Sequence, residues 1–104
     1  MEGRIRTLRS KKMIDKIWEQ ITEDNWTQGA YCRDKDARPS SEADAVSFCL
    51  SQWITEVYGV DTLGSKRVRN KIIKAIDFQS ILTWNDDKSR TFNDVKRLCR
   101  DLDI

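Results

Sequence analysis

The chain has 104 residues, enough for one domain and too few for a second core. Charged residues make up 35%, yet 19 Lys and Arg nearly balance 17 Asp and Glu, which excludes a uniformly basic nucleic-acid coat and an acidic mimic of DNA. Histidine is absent, so imidazole triads, imidazole bases and His-ligated metal sites are excluded too.

In chain order, the first twelve residues of the single predicted domain (1–104) are basic, with Arg4, Arg6, Arg9, Lys11 and Lys12 against Glu2. No apolar signal-peptide core follows them. A first helix is predicted over 6–23, where Ile14, Ile17, Trp18 and Ile21 follow the i, i+3, i+4, i+7 rule. Residues 24–40 then show no helical period, and a connection this long is usually functional or disordered. Trp26 and Tyr31 within it argue for order. A second helix is predicted over 41–58, with Ser41 as N-cap, Ala45, Phe48, Cys49, Trp53, Ile54 and Val57 on its apolar face, and Gly59 as its stop. A third is predicted over 65–82, with Val68, Ile72, Ala75, Ile76 and Gln79 inward. After a loop over 83–90, a fourth starts at Thr91. Asp94 stands three residues on, in the manner of a capping box, and Val95, Leu98, Cys99 and Leu102 face inward.

No stretch alternates as a strand does. The expectation is an all-α fold, a compact bundle of about four helices with one long ordered loop between the first and second. Nine aromatic rings (four of them Trp) separate this composition from a disordered one. Four Trp cannot all sit centrally in so small a core, so one or two are expected at its edge. No apolar run approaches the ~18 residues of a membrane span, so a cytoplasmic protein is expected. Cys32, Cys49 and Cys99 lack Cys-x-x-Cys spacing and read as buried thiols. Neither a metal site nor a cofactor is expected.

Two polar segments stand out: Trp26-Thr27-Gln28-Gly29-Ala30-Tyr31-Cys32-Arg33-Asp34, and Trp84-Asn85-Asp86 followed by Thr91, Asp94 and Val95. This pairing resembles an uncharacterised bacterial and phage domain family marked by WTQGA-x-x-RD and WND segments, over roughly residues 17–102. The resemblance implies an architecture and no activity. The chain departs from the pattern at Lys35-Asp36-Ala37, where a turn glycine is expected, and at Ser51-Gln52-Trp53, where small residues are usual. Trp53 could fill a pocket shared by the family.

Two readings of these segments stand side by side. In one they brace the loop, with Arg33 paired to Asp86 or Asp87. In the other, Trp26, Gln28, Tyr31, Arg33, Asp34, Trp84, Asn85 and Asp86 form a recognition surface on two loops. A further reading, a small enzyme using Arg33, Asp34 and Asp86, requires the carboxylates to share one concave pocket. The pairs Asp86-Asp87 and Asp34/Asp36 otherwise read as turn chemistry. No phosphate-binding glycine loop or nucleophile elbow is present.

The last candidate is Lys66, Arg67, Arg69, Lys71 and Lys74, five cations with no acid among them. With 4–12 they form two basic patches, while the rest of the chain holds nine cations against seventeen acids. Such patches suit nucleic-acid backbone, with salt-sensitive affinity, or read as a solvated face. The leading expectation is a small non-catalytic protein-binding adaptor or inhibitor. A phage protein acting on a host defence protein would fit. Nucleic-acid-backbone binding through 4–12 and 66–74 is the alternative.

Overall fold

Helical period and caps agree best over Phe92–Leu102, where the capping box stands at the expected Thr91. A computed structural model describes residues 16–104. The basic patch 4–12 and the predicted helix before Lys16 lie outside the described residues. The described part is mostly helical: α1 (Ile17–Gln20), α2 (Leu50–Tyr58), α3 (Leu63–Ala75), α4 (Ile81–Asp86) and α5 (Phe92–Leu102). It also carries two short strands, β1 (Cys32–Arg33) and β2 (Ser47–Phe48), and 3-10 turns at Glu23–Asn25 and Glu42–Asp44.

α3 starts where Thr62 and Ser65 cap each other reciprocally, the Thr62 hydroxyl accepting from Ser65 N–H at 3.0 Å and Ser65 Oγ from Thr62 N–H at 3.1 Å. Ser65, Val68 and Ile72 point into the core. α5 starts at the expected capping box. Thr91 Oγ1 accepts from Asp94 N–H at 3.2 Å, and Asp94 Oδ2 from Thr91 N–H at 3.0 Å. Val95 and Cys99 are its fully buried residues. α2 ends where expected, at Gly59, whose φ of 97° suits glycine and whose Cβ, were there one, would meet Thr62 Cγ2 at 2.7 Å.

Three expected boundaries are corrected. The helix over 41–58 is a 3-10 turn, then β2, then α2. Cys49 is the N-cap, with its sulfur accepting from Gln52 N–H at 3.4 Å. The helix over 65–82 breaks after Ala75, where Asp77 (φ 60°) and Phe78 (φ 63°) turn left-handed and Ser80 caps a new helix. Ala75 and Gln79, expected inward, are exposed there. The first helix is already over at Gln20. The all-α expectation is corrected as well, since β1 and β2 pair antiparallel, Cys32 opposite Phe48 and Arg33 opposite Ser47. Two-residue strands carry no period that a sequence can display.

α2 packs on α3 and α4, α1 on α2 and α5, and α3 on α4 and α5. Ile17, Ile21, Leu50, Ile54, Ile72, Val95, Cys99 and Ile104 are fully buried at their junction. Trp53 and Trp84 are buried with them, while Trp18 and Trp26 pack at the edge. The chain's last residues close over α1. Ile17 N–H donates to the Ile104 carbonyl at 2.6 Å, and the Trp18 indole N–H to Asp103 Oδ1 at 3.1 Å. Among the described residues, no helix is long and apolar enough to cross a membrane.

Candidate functional site

The two polar segments do meet, and Asn85 is where they do so. It sits in the last turn of α4 with no solvent exposure. Its side-chain oxygen accepts from the Trp26 indole at 2.8 Å and from Leu50 N–H, in the first turn of α2, at 3.0 Å. Its amide donates to the Thr27 carbonyl at 3.1 Å and to Asp86 Oδ1 at 2.9 Å. Two acceptor positions and two N–H groups are thus all engaged, which is the full capacity of an asparagine. One side chain ties the loop, α2 and α4 together.

Its neighbours extend the same tie. Gln28 Nε2 donates to the Asn85 carbonyl at 2.8 Å and the Asp87 carbonyl at 2.9 Å. Asp86 Oδ1 accepts from Gly29 N–H at 3.0 Å. The Trp84 ring carries the Arg90 guanidinium 3.9 Å above its centroid, and Arg90 Nε donates to the Trp84 carbonyl at 2.9 Å.

The expected Arg33 pairing with Asp86 or Asp87 is replaced by something else. Arg33 donates to Thr27 Oγ1 at 2.9 Å, the Gln28 carbonyl at 2.9 Å and the Ala37 carbonyl at 3.0 Å, holding the loop's own turns. Asp34 is spent on a local turn, its Oδ1 accepting from Asp36 N–H and Arg38 N–H. Asp34 and Asp86 line two different surface cavities, so neither of those brings the two carboxylates together. Of the eight candidates, Trp26, Gln28, Arg33, Trp84, Asn85 and Asp86 use polar groups inside the fold. Tyr31, 56% exposed, is the one whose ring stands in solvent.

The basic candidates divide. Lys66, Arg67, Lys71 and Lys74 are exposed on α3. Arg69 turns the other way and clamps α2, donating to Ser51 Oγ at 2.9 Å, the Ser51 carbonyl at 3.1 Å and Thr55 Oγ1 at 3.3 Å. It leaves the basic face. Lys66 pairs with Asp61 at 3.5 Å in open solvent. The exposed stripe is bracketed by apolar residues the sequence did not single out, Leu63 (66% exposed) and Phe78 (75% exposed).

Titration gives no activated nucleophile among the cysteines. Burial pushes the Cys99 thiol up to about 12 and raises Cys32 and Cys49. Glu56 is raised to about 7, first by loss of solvation and then by its hydrogen bond with Glu42. Gln52 Nε2 bridges the pair, donating to Glu42 at 3.2 Å and Glu56 at 3.0 Å. The signal for Gln52–Glu56 was the i, i+4 spacing, but nothing local pointed to Glu42. Among the described residues, no group of three or more Cys, Asp or Glu is placed to hold a metal ion.

Residues 7–102 match a family of unknown function, DUF6197. The chain belongs to that family. No curated protein and no solved structure matches it. Membership of DUF6197 therefore brings no activity with it.

Proposed function

We propose that this DUF6197 domain is a non-catalytic protein-binding adaptor or inhibitor, and that its contact surface is the outward face of α3 with the turn that follows it. The observation that carries this reading is Phe78. A large aromatic side chain stands 75% exposed on a backbone at φ 63°, a conformation disfavoured for bulky residues. Leu63 lies at the other end of the helix, with Lys66, Arg67, Lys71 and Lys74 between them. Aromatic anchors inside a charged surround are the usual composition of a protein contact. The partner's matching surface is acidic with an apolar recess. The resemblance drawn from the sequence supports a phage setting; a cytoplasmic site of action and a host defence protein as target belong to the same proposal and do not rest on that resemblance.

The second reading, nucleic-acid-backbone binding, is favoured by the absence of any acid between residues 62 and 76. It is weakened by the inward turn of Arg69. The two separate in one experiment. The purified protein is used as bait in a lysate of its native host, alongside Phe78→Ser and a Lys66→Glu/Lys74→Glu double variant, and is titrated with generic duplex DNA at low salt. A protein held by the wild type and lost with both variants, with no DNA binding, supports the protein reading. DNA affinity that collapses with salt and vanishes in Lys71→Glu/Lys74→Glu overturns it in favour of the second.

A further inference from the structure

Beside the α3 face lies a cavity of about 230 Å³, bounded by Lys16, Tyr58, Arg67, Lys71 and Asp103 over an apolar floor that includes Val68. We propose that it binds a small phosphate monoester. The charge inventory is uneven. Among the lining side chains three cations meet one carboxylate, and that carboxylate is already engaged: Asp103 Oδ1 accepts from the Trp18 indole at 3.1 Å, and Oδ2 faces Lys16 Nζ at 3.5 Å, while Ile104, which also lines the cavity, takes the Ile17 N–H on its main-chain oxygen at 2.6 Å.

Arg67 and Lys71 remain. They stand at i and i+4 on α3, where like charges repel, and neither forms an ion pair with another described residue. An oxyanion between them would relieve that repulsion and meet the forked donors of Arg67, which suit phosphate oxygens. Tyr58, half-buried, lines the same cavity, and its hydroxyl donates to no described residue, which leaves it free to serve as a third donor group. Loss of solvation and acidic neighbours raise its pKa, so it remains a protonated donor at neutral pH. The volume falls below the ~300–1,000 Å³ of pockets for drug-sized ligands, which limits the ligand to a phosphate on a short carbon skeleton.

This site shares Arg67 and Lys71 with the proposed protein-contact face but does not rest on that reading, and its test uses the purified protein alone. Glycerol 3-phosphate is titrated calorimetrically at low salt into the wild type and into Arg67→Gln, Lys71→Gln, Tyr58→Phe and Lys74→Gln. Lys74 serves as the control because it lies on the same helix but does not line the cavity. Loss of one charge-assisted bond predicts about tenfold weaker binding for Arg67→Gln and Lys71→Gln. Tyr58→Phe, losing a neutral donor, should weaken it about threefold. Lys74→Gln should stay within about twofold, since it removes only screened, longer-range charge. No binding at millimolar ligand overturns the proposal. So does an equal loss in Lys74→Gln, which would mark diffuse attraction. Acetate bound as tightly as the phosphate ester also overturns it, because the site would then select charge alone.

Discussion

The Trp26 indole N–H reaches the Asn85 side-chain oxygen at 2.8 Å across 59 positions of sequence. That oxygen also accepts from Leu50 N–H, so one buried amide organises the start of α2, the end of α4 and the loop between β1 and α1. Replacing Asn85 with Ala orphans the Trp26 and Leu50 donors and the Thr27 carbonyl at a fully buried position. The expected loss is about 3 kcal/mol, as each stranded buried group costs roughly 1–3 kcal/mol. Urea unfolding checks it, with a lower midpoint at unchanged slope. A loss under about 1 kcal/mol would show that Asn85 is not the organising residue.

Phe78 and Asp77 turn left-handed in succession with no glycine between them. Phe78→Gly relieves one of the two, and the exposed ring gives up little packing. Stability should rise by about 0.5–1 kcal/mol. Partner capture should fall in the same variant. Thermal melts beside the bait experiment read both, and a variant that is less stable would mean the ring packs more than its exposure indicates.

Arg69 and Lys74 are both cations of α3 with opposite duties. Arg69→Ala removes three hydrogen bonds to α2 and should cost about 1–2 kcal/mol. Lys74→Ala should leave stability within about 0.5 kcal/mol. Equal effects on denaturation would contradict the division of the basic patch into a clamp and a free face.

Glu56 sets a pH dependence whose direction is definite. Its carboxyl holds a proton up to about 7 in the folded state and to its ordinary 4.5 once unfolded. Between those values the folded chain binds more protons, so stability falls as pH rises from 4.5 to 7 and stays level above. Asp87, Asp94 and Asp103 act oppositely. Hydrogen bonds from Ser89, Thr91 and Trp18 hold them below 3.8, so their contribution is present above that pH and lost as pH falls through their lowered values. Melting temperature should therefore peak at mildly acidic pH. Glu56→Gln should flatten the alkaline side of that peak and leave the acid side unchanged.

Cys49 and Cys99 have no solvent exposure, and Cys99 titrates near 12. Both should react with iodoacetamide at pH 8 only through opening of the fold, far more slowly than in denaturant. Rapid labelling of the native protein at Cys99, mapped by mass spectrometry, would show that α5 separates from the core.

Much of the helical framework is legible in local chemistry. Thr91 and Asp94 announce α5, Gly59 ends α2, and Val68 with Ile72 orients α3, because caps and helical period act within a few residues of themselves. The break after Ala75 is less visible. No Gly or Pro marks it, and the only cue is Ser80 ahead of Ile81 and Leu82, a cap signal that the continuing apolar run hides. β1 and β2 leave no cue at all, since a two-residue strand is defined by its partner.

The composition and order of Trp26-Thr27-Gln28 and Trp84-Asn85-Asp86 show two polar segments rich in groups that need partners. Which partners they take was decided by tertiary structure alone. Arg33 was expected to reach Asp86 and instead holds Thr27, Gln28 and Ala37, while Asp86 takes Gly29 N–H. Local sequence determines which groups seek hydrogen bonds. Burial determines which of them must be satisfied and by whom, because a donor left dry costs more than a mismatched sequence pattern can signal.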